Sequence, residues 1–247
     1  MDAFFRRFFP SDGCSMRGYH QELQDHLPAH GAVLDLGCGD HRQLARYRTP
    51  DRQVWGTDFD EHPRLQHAEW FRKLEPDGVI PFPPDSFDLI ASTWVLEHIE
   101  SPADFLRETY RVLRPGGRLV ALTANGLHYV TAITRLFRLL PHELTQQIVL
   151  RLYRRAPHDT HPTYFRLNTG AQIRRAAWTS GMQLANLRYY ANPDYFSFNR
   201  MLRRSAIVAD WLLSRVRDDL GRLYLVATLE KPKIHCPSST IRRKAAA

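Results

Sequence analysis

One stretch limits the fold of this chain more than any other: Val33-Leu34-Asp35-Leu36-Gly37-Cys38-Gly39-Asp40. An apolar run of strand length carries an acid and then enters a Gly-x-Gly turn. Residues 32–36 read as a buried strand, and the turn as backbone bare enough for a ligand to come close. A strand that feeds a glycine turn is the opening of a strand–helix–strand unit, so the residues beyond the turn should alternate between the two.

They do. Residues 54–57 form a second apolar run ending at Asp58, residues 62–67 suit a short helix, and residues 70–74 a third strand. The prolines of residues 80–84 give an extended loop, and residues 87–94 a fourth strand. Ser101 is placed to cap a helix that has Pro102 at its first position and Asp104 in its first turn. Phe105, Leu106, Tyr110 and Leu113 line that helix, Pro115-Gly116-Gly117 stops it, and residues 118–122 make a fifth strand. Upstream, Tyr19, Leu23 and Leu27 recur every four residues, as on one face of a helix. Short connections between alternating elements predict a parallel sheet covered on both faces, and right-handed crossovers favour a doubly wound α/β fold.

The second half differs. Residues 127–155 read as two basic amphipathic helices broken at Pro141, the first lined by Tyr129, Val130, Ile133, Phe137 and Leu140, the second by Leu144, Ile148 and Leu152. A helix at 170–180 stops at Gly181; strands at 184–190 and 223–229 enclose a helix carrying Ile207, Trp211, Leu212 and Val216. With 247 residues, 43% of them hydrophobic, one core is expected, over residues 1–232, with 127–168 as a helical insertion or lid and 233–247 as a loose basic tail. The three cysteines, Cys14, Cys38 and Cys236, fit neither a disulfide framework nor a zinc site. The N-terminus lacks a secretory pattern and no apolar run has membrane-span length, so a soluble cytoplasmic protein is expected. The net charge of +8 comes from arginine clusters such as Arg6-Arg7, Arg174-Arg175 and Arg203-Arg204. These are either solvated helix faces or a surface for phosphorylated substrates, acidic lipid headgroups or nucleic acid.

What sits on the glycine turn? A dinucleotide site wants a third glycine, and that position holds Arg42. Asp35 puts negative charge where a phosphate would not want it, and suits a cationic amino-acid end instead. Asp58, at the tip of the second strand, is placed to accept both hydroxyls of a ribose. A ribose, an ammonium and no phosphate describe S-adenosylmethionine.

Five motifs in order make the resemblance specific: DLGCG at 35–39, GTD at 56–58, IPFPPDSFD at 80–88, VLEHI at 95–99 and RVLRPGG at 111–117. The chain resembles the class I S-adenosylmethionine-dependent methyltransferases over residues 33–124. That resemblance implies a Rossmann-like, mostly parallel sheet with an antiparallel last strand, a helical insertion after strand five, and S-adenosyl-L-methionine as cofactor. Carried onto this sequence, the cofactor-binding set is Asp35, Gly37, Cys38, Gly39, Asp58, Phe59, Asp77 and Trp94. Glu75 competes with Asp77 for the adenine, and Leu96 joins Trp94 on the methionine and substrate side. One departure stands out: His41 replaces a glycine that the family often has.

Acceptor chemistry must come from elsewhere. His98 follows the fourth strand at the ligand-binding edge, and is either a loop residue orienting backbone or a substrate contact and general base. The segment His161-Pro162-Thr163-Tyr164-Phe165-Arg166-Leu167-Asn168-Thr169 is polar and aromatic, and Tyr164 and Arg166 are its candidate substrate contacts. It resembles methyltransferases of bacterial glycan or secondary-metabolite modification. A hydroxyl on a glycan, a secondary metabolite or a lipid-linked precursor is the expected acceptor, with no metal required. The helices of 127–155 are either a lid or a membrane-surface element. Two rivals remain: a nucleic-acid methyltransferase, for which the stretch after strand four lacks the expected Asn/Asp-Pro-Pro-aromatic, and a non-catalytic module that binds the cofactor.

Overall fold

The computed structural model describes residues 2–137, 162–192 and 194–233. The strands are β1 (Gly31–Leu36), β2 (Arg52–Asp58), β3 (Phe71–Lys73), β4 (Phe87–Thr93), β5 (Leu113–Ala124), β6 (Gln183–Tyr190) and β7 (Tyr224–Glu230). They form one seven-stranded sheet in the order β3-β2-β1-β4-β5-β7-β6. All pairs from β3 to β5 are parallel; β7 is antiparallel to both β5 and β6. The strand order reverses between β1 and β4, which opens a crevice beyond their carboxyl ends, where such sheets take their ligands.

Alternation along the strands divides the core. Leu34, Leu36, Ile90, Leu119 and Ala121 face one side, against Leu106 and Val112 of α4 (Pro102–Val112) and Ile173 and Ala177 of α6 (Gly170–Ser180). Val33, Leu89, Ala91, Val120 and Leu122 face the other side, against Tyr19 and Leu23 of α2 (Ser15–His26), with Leu44 of the short α3 (Arg42–Ala45). A third cluster joins α1 (Ala3–Phe8) to α7 (Arg200–Val216) through Phe5, Phe9, Ala191 and Ile207. A further helix, α5, spans Tyr129–Phe137. Among the described residues no helix is long and apolar enough to cross a membrane.

Two of the motifs turn out to be clamps. The Arg111 guanidinium donates to the carbonyls of Phe82 and Ile80, each at 2.8 Å, and pairs with Glu108, so the proline loop is pinned to α4. Asp88 accepts from the Ala32 N–H at 2.9 Å and from Arg114 at 2.5 Å, holding the entry of β1 against β4 and β5. Ser101 caps α4 as expected, accepting from the Asp104 N–H.

Several expectations change. Residues 62–67 form turns rather than a helix, and a 3₁₀ turn, Ala68–Trp70, precedes β3 instead. Pro115-Gly116-Gly117 does not precede the fifth strand; it lies inside β5. Leu113 already pairs with Phe87, and the register then slips, with Gly116 and Gly117 exchanging backbone bonds with Lys231. The motif is thus a bulge closed by the residue that follows β7 rather than a break. On α7, Leu212 and Val216 face solvent, 54% and 75% exposed, while Ile207 and Asp210 face inward. The second basic helix expected in 127–155, with Leu140, Leu144, Ile148 and Leu152, lies outside the described residues, as do Cys236 and the tail after 233.

Candidate active site at the sheet edge

The crevice begins where β1 ends. Gly37 and Gly39 take left-handed backbone, at φ 77° and 53°. The N–H groups of Gly37 and Cys38 both donate to the Thr57 carbonyl, at 2.8 and 3.2 Å. Asp58 then fixes the turn: one carboxylate oxygen accepts from the Gly39 N–H at 2.9 Å, the other from the Phe59 N–H at 2.8 Å. The turn is therefore held from β2, and each Asp58 oxygen keeps lone-pair capacity for a further donor.

The two glycines serve different ends. A Cβ on Gly37 would lie 2.2 Å from a methyl of Val95, so its bareness lets the end of β4 pack over the turn. A Cβ on Gly39 would meet nothing within 4 Å, and this is the open side of the loop.

His41 occupies the third position of the turn. Its φ is 55°, a left-handed value that histidine tolerates better than most side chains. Its ring is turned beneath the loop and is fully buried, with Nδ1 3.6 Å from an Asp35 oxygen. Gly56 makes the room, since a Cβ there would lie 2.7 Å from the His41 ring and 2.9 Å from the Cys38 sulfur. Asp35 is buried with it; burial pushes its carboxyl above the usual range, and His41 beside it opposes that. Burial, with Asp35 beside it, also pushes the Cys38 thiol up.

At the end of β4, Trp94 is a second non-glycine residue in left-handed conformation, at φ 61°, and its ring meets Tyr224 edge-on at 4.8 Å. Leu96 is buried in the core below, rather than lining the crevice. Glu97 follows in a 3₁₀ turn, Leu96–His98, and is buried. Its carboxylate accepts from the Thr123 hydroxyl at 2.6 Å; Thr123 in turn accepts from the Asn168 amide at 2.7 Å, and that amide also donates to the Ala124 carbonyl. The Glu97 carbonyl accepts the N–H groups of Tyr164 and Phe165, at 2.7 and 3.2 Å. Residues 162–168 are thereby stapled across the ends of β4 and β5.

His98 donates from Nδ1 to the Pro162 carbonyl at 2.7 Å, within the same staple. Arg166 donates to the Glu100 carbonyl at 2.8 Å and lies over the Tyr164 ring at 5.5 Å. Thr169 caps α6, in a reciprocal capping box with Gln172. The adenine candidates stand apart: Asp77 accepts from the Val79 N–H in an exposed turn, and Glu75 is exposed, though the Leu74 N–H donates to the Asp58 carbonyl and draws that segment beside β2. Phe59 is half exposed next to Asp58.

Sequence reasoning missed the interior of this site. Tyr19, a helix-stripe residue by its spacing, is fully buried with its hydroxyl facing Thr93, the Ser92 backbone and Asp35. Tyr19 Oη, His41 Nδ1, Thr57 Oγ1, Ser92 Oγ and Thr93 Oγ1 are all buried and make no hydrogen bond among the described residues. They lie at the ends of β1, β2 and β4 on both faces of the sheet: Thr57 and Ser92 pair with Leu36 and share its face, while Tyr19 packs on the face of Val33 and Ala91, which Thr93 shares. Buried polar atoms left unpaired are costly, so each calls for a polar ligand or ordered water as partner. The only available signal was the run of hydroxyl residues at the strand ends, in GTD and AST.

The residues fit S-adenosylmethionine. The turn is open beside Gly39, and the Asp58 carboxylate has capacity left. Asp58 would hold the ribose, and the Gly39 side of the loop the amino-acid end. When bound, the cofactor supplies an electrophilic methyl on a sulfonium.

Comparison with known proteins agrees. A family model for the methyltransferase domain matches residues 34–121. A ubiquinone/menaquinone biosynthesis C-methyltransferase from Desulfotalea psychrophila is 33% identical over 106 residues, 38% of this chain and 42% of that protein. A ubiquinone biosynthesis O-methyltransferase from Pseudomonas putida is 26% identical over 138 residues, 51% of this chain and 55% of that protein. The chain thus spans less than two thirds of the length of either relative. Among solved structures, a geranyl diphosphate C-methyltransferase from Streptomyces coelicolor, in complex with Mg²⁺, geranyl diphosphate and S-adenosyl-L-homocysteine, aligns with TM-score 0.54 at 14% identity, covering 87% of this chain and 79% of that one. An S-adenosylmethionine-dependent methyltransferase from Mesorhizobium loti aligns with TM-score 0.52 at 18% identity, covering 88% and 98%. The five motifs, the reversed strand order with β7 antiparallel, and the family-model match together identify residues 34–121 as a methyltransferase domain of the class I S-adenosylmethionine-dependent kind.

Proposed function

We propose that the protein transfers a methyl group from S-adenosylmethionine to a small-molecule acceptor, and that the acceptor atom is a hydroxyl on a glycan, a secondary metabolite or a lipid-linked precursor. One observation carries the cofactor half: the bare turn after β1 is clamped by Asp58 and open beside Gly39. The work left to the protein is alignment and exclusion of water, and orientation of this kind supplies about 7–11 kcal/mol in well-aligned systems. Asp58 orients the cofactor by its sugar. The staple of Glu97, Thr123 and Asn168 holds residues 162–168 over the crevice, and the stacked Tyr164 and Arg166 stand at its mouth to contact the acceptor. His98 acts as a positioning residue through Pro162.

The test has two arms. Calorimetry with S-adenosylhomocysteine should show binding to the purified chain and much weaker binding to Asp58→Ala; heat that is absent, or unchanged in the variant, removes the cofactor reading. Labelled methyl transfer to panels of hydroxylated acceptors should then be lost in Asn168→Ala before cofactor binding is. Label that goes to RNA or DNA, and not to small molecules, would replace the acceptor reading.

A further inference from the structure

Two arginine clusters far apart in sequence meet in the fold. Arg6 and Arg7 lie on α1, Arg203 and Arg204 on α7, and the two helices pack together through Phe5, Phe9 and Ile207. Their position is informative. The helix α7 connects β6 to β7, so it leaves the sheet at the carboxyl end of β6 and returns beside the end of β5, where Ala124 pairs with Tyr224. It is bound to that rim by His128, in the loop after β5, whose Nε2 lies 3.1 Å from buried Asp210.

Its inner face carries Ile207, Asp210 and Arg203. Arg203 is spent on Asp2 and Asp194, at 2.7 and 3.3 Å. Its outer face carries Met201, Leu202, Leu212 and Val216, exposed by 81%, 43%, 54% and 75%. At 3.6 residues per turn, these four and Val208 and Ala209 fall in one band with only Ser205 among them. The arginines Arg200, Arg204 and Arg215 run along one border, and Arg6 and Arg7 stand on the neighbouring helix. Arg204 lies over the Phe4 ring at 5.1 Å and Arg215 over Trp211 at 4.9 Å. Between the helices is an open groove of about 470 Å³, lined by Phe4, Arg204, Ser205, Val208, Ala209 and Leu212. The only acid on α7, Asp210, is buried.

We propose that this α1–α7 face docks on an anionic lipid surface, with the apolar band entering the headgroup boundary and the arginines meeting lipid phosphates. The pattern on α7 of one apolar band, a cationic border and no exposed acid is what interfacial helices carry. A second copy is the poorer occupant, because pairing the face with itself would bring its arginines together. A nucleic acid would use the arginines and leave the band in water. The position beside the crevice would present a membrane-held molecule to the same rim as the site. The proposal stands apart from methyl transfer, because lipid binding is read without turnover.

Vesicle sedimentation of the full chain tests it, with phosphatidylcholine alone and with an equal share of phosphatidylglycerol. Co-sedimentation with the anionic vesicles only is expected, weakening as salt rises. The variant Met201→Glu/Leu212→Glu/Val216→Glu changes exposed positions and should bind anionic vesicles at least about tenfold more weakly, while its S-adenosylhomocysteine affinity stays at the wild-type value. Wild type that ignores anionic vesicles, or a triple variant that binds them equally, overturns the proposal. So does a concentration-dependent dimer that the same substitutions dissolve in the absence of vesicle binding, or duplex RNA binding that displaces the vesicles and survives the substitutions.

Discussion

The two ends of the crevice are built by different means. On the β1–β2 side, the turn is shaped by left-handed residues a few positions apart and tied by backbone bonds to a single adjacent strand. On the β5–β7 side, nothing local shapes the site. Glu97, Thr123 and Asn168 come from three separate segments, and His128 meets Asp210 across 82 positions of sequence. A cofactor shared by many enzymes can be gripped by a short backbone device. On the function proposed above, the acceptor side is the one that relies on side chains gathered from afar. The first kind of site should fail by losing ligand, the second by losing stability or acceptor.

That contrast can be broken. The largest effect is expected at His128→Ala, which leaves the buried Asp210 carboxylate without the imidazole that faces it at 3.1 Å. Leaving a buried charged group without its hydrogen-bond partner costs about 3 kcal/mol or more, seen as a lower midpoint in urea, with cofactor affinity preserved in the folded fraction. Next is Gly37→Val, which forces a side chain into left-handed backbone and into Val95. S-adenosylhomocysteine affinity should fall at least about a hundredfold, as a cost near 3 kcal/mol implies; calorimetry decides. Asp58→Ala removes a charged hydrogen bond to the turn, worth about 1.5–3 kcal/mol, and should weaken the same ligand about tenfold to a hundredfold, with less change in the melting midpoint. If Asp58→Ala unfolds the chain while His128→Ala abolishes cofactor binding, the division between the two sides is wrong.

Asn168→Ala should cost about 1–2 kcal/mol of stability from its lost bonds and raise the acceptor KM more than it changes cofactor affinity. The smallest effect concerns the clamp on the proline loop. The Arg111 guanidinium holds the Glu108 carboxyl below its ordinary value of 4.5, against a smaller opposing push from burial. A depressed carboxylate contributes stability that is present above that ordinary value and is lost as pH falls through the depressed one. Glu108→Gln should therefore flatten the acid limb of stability below pH 4.5 by about half a kcal/mol, the pair being partly solvated.

The parallel half of the sheet is legible because its signals are local. Residues 87–94 read as a strand and 87–93 form one; Ser101, Pro102 and Asp104 open α4 as expected; Gly181, at φ 77°, ends α6. Where the sequence misleads, partners distant along the chain decide. Pro115-Gly116-Gly117 looks like a stop in isolation, and becomes a bulge only because Lys231 pairs with it. Leu212 and Val216 lie across the helix from Ile207, and α1 covers only the Ile207 side. Asp35 and His41 look like neighbours of a ligand, and the fold turns them toward each other beneath the loop.

By itself, then, the sequence determined the strand–turn–strand register of the first half and the cofactor class, because strand alternation, caps and glycine turns act over a few residues. The tertiary structure alone decided which polar groups are buried without partners, which segments are stapled over the crevice, and which face of α7 stays bare. Those depend on what packs from the far end of the chain, and no local pattern encodes that.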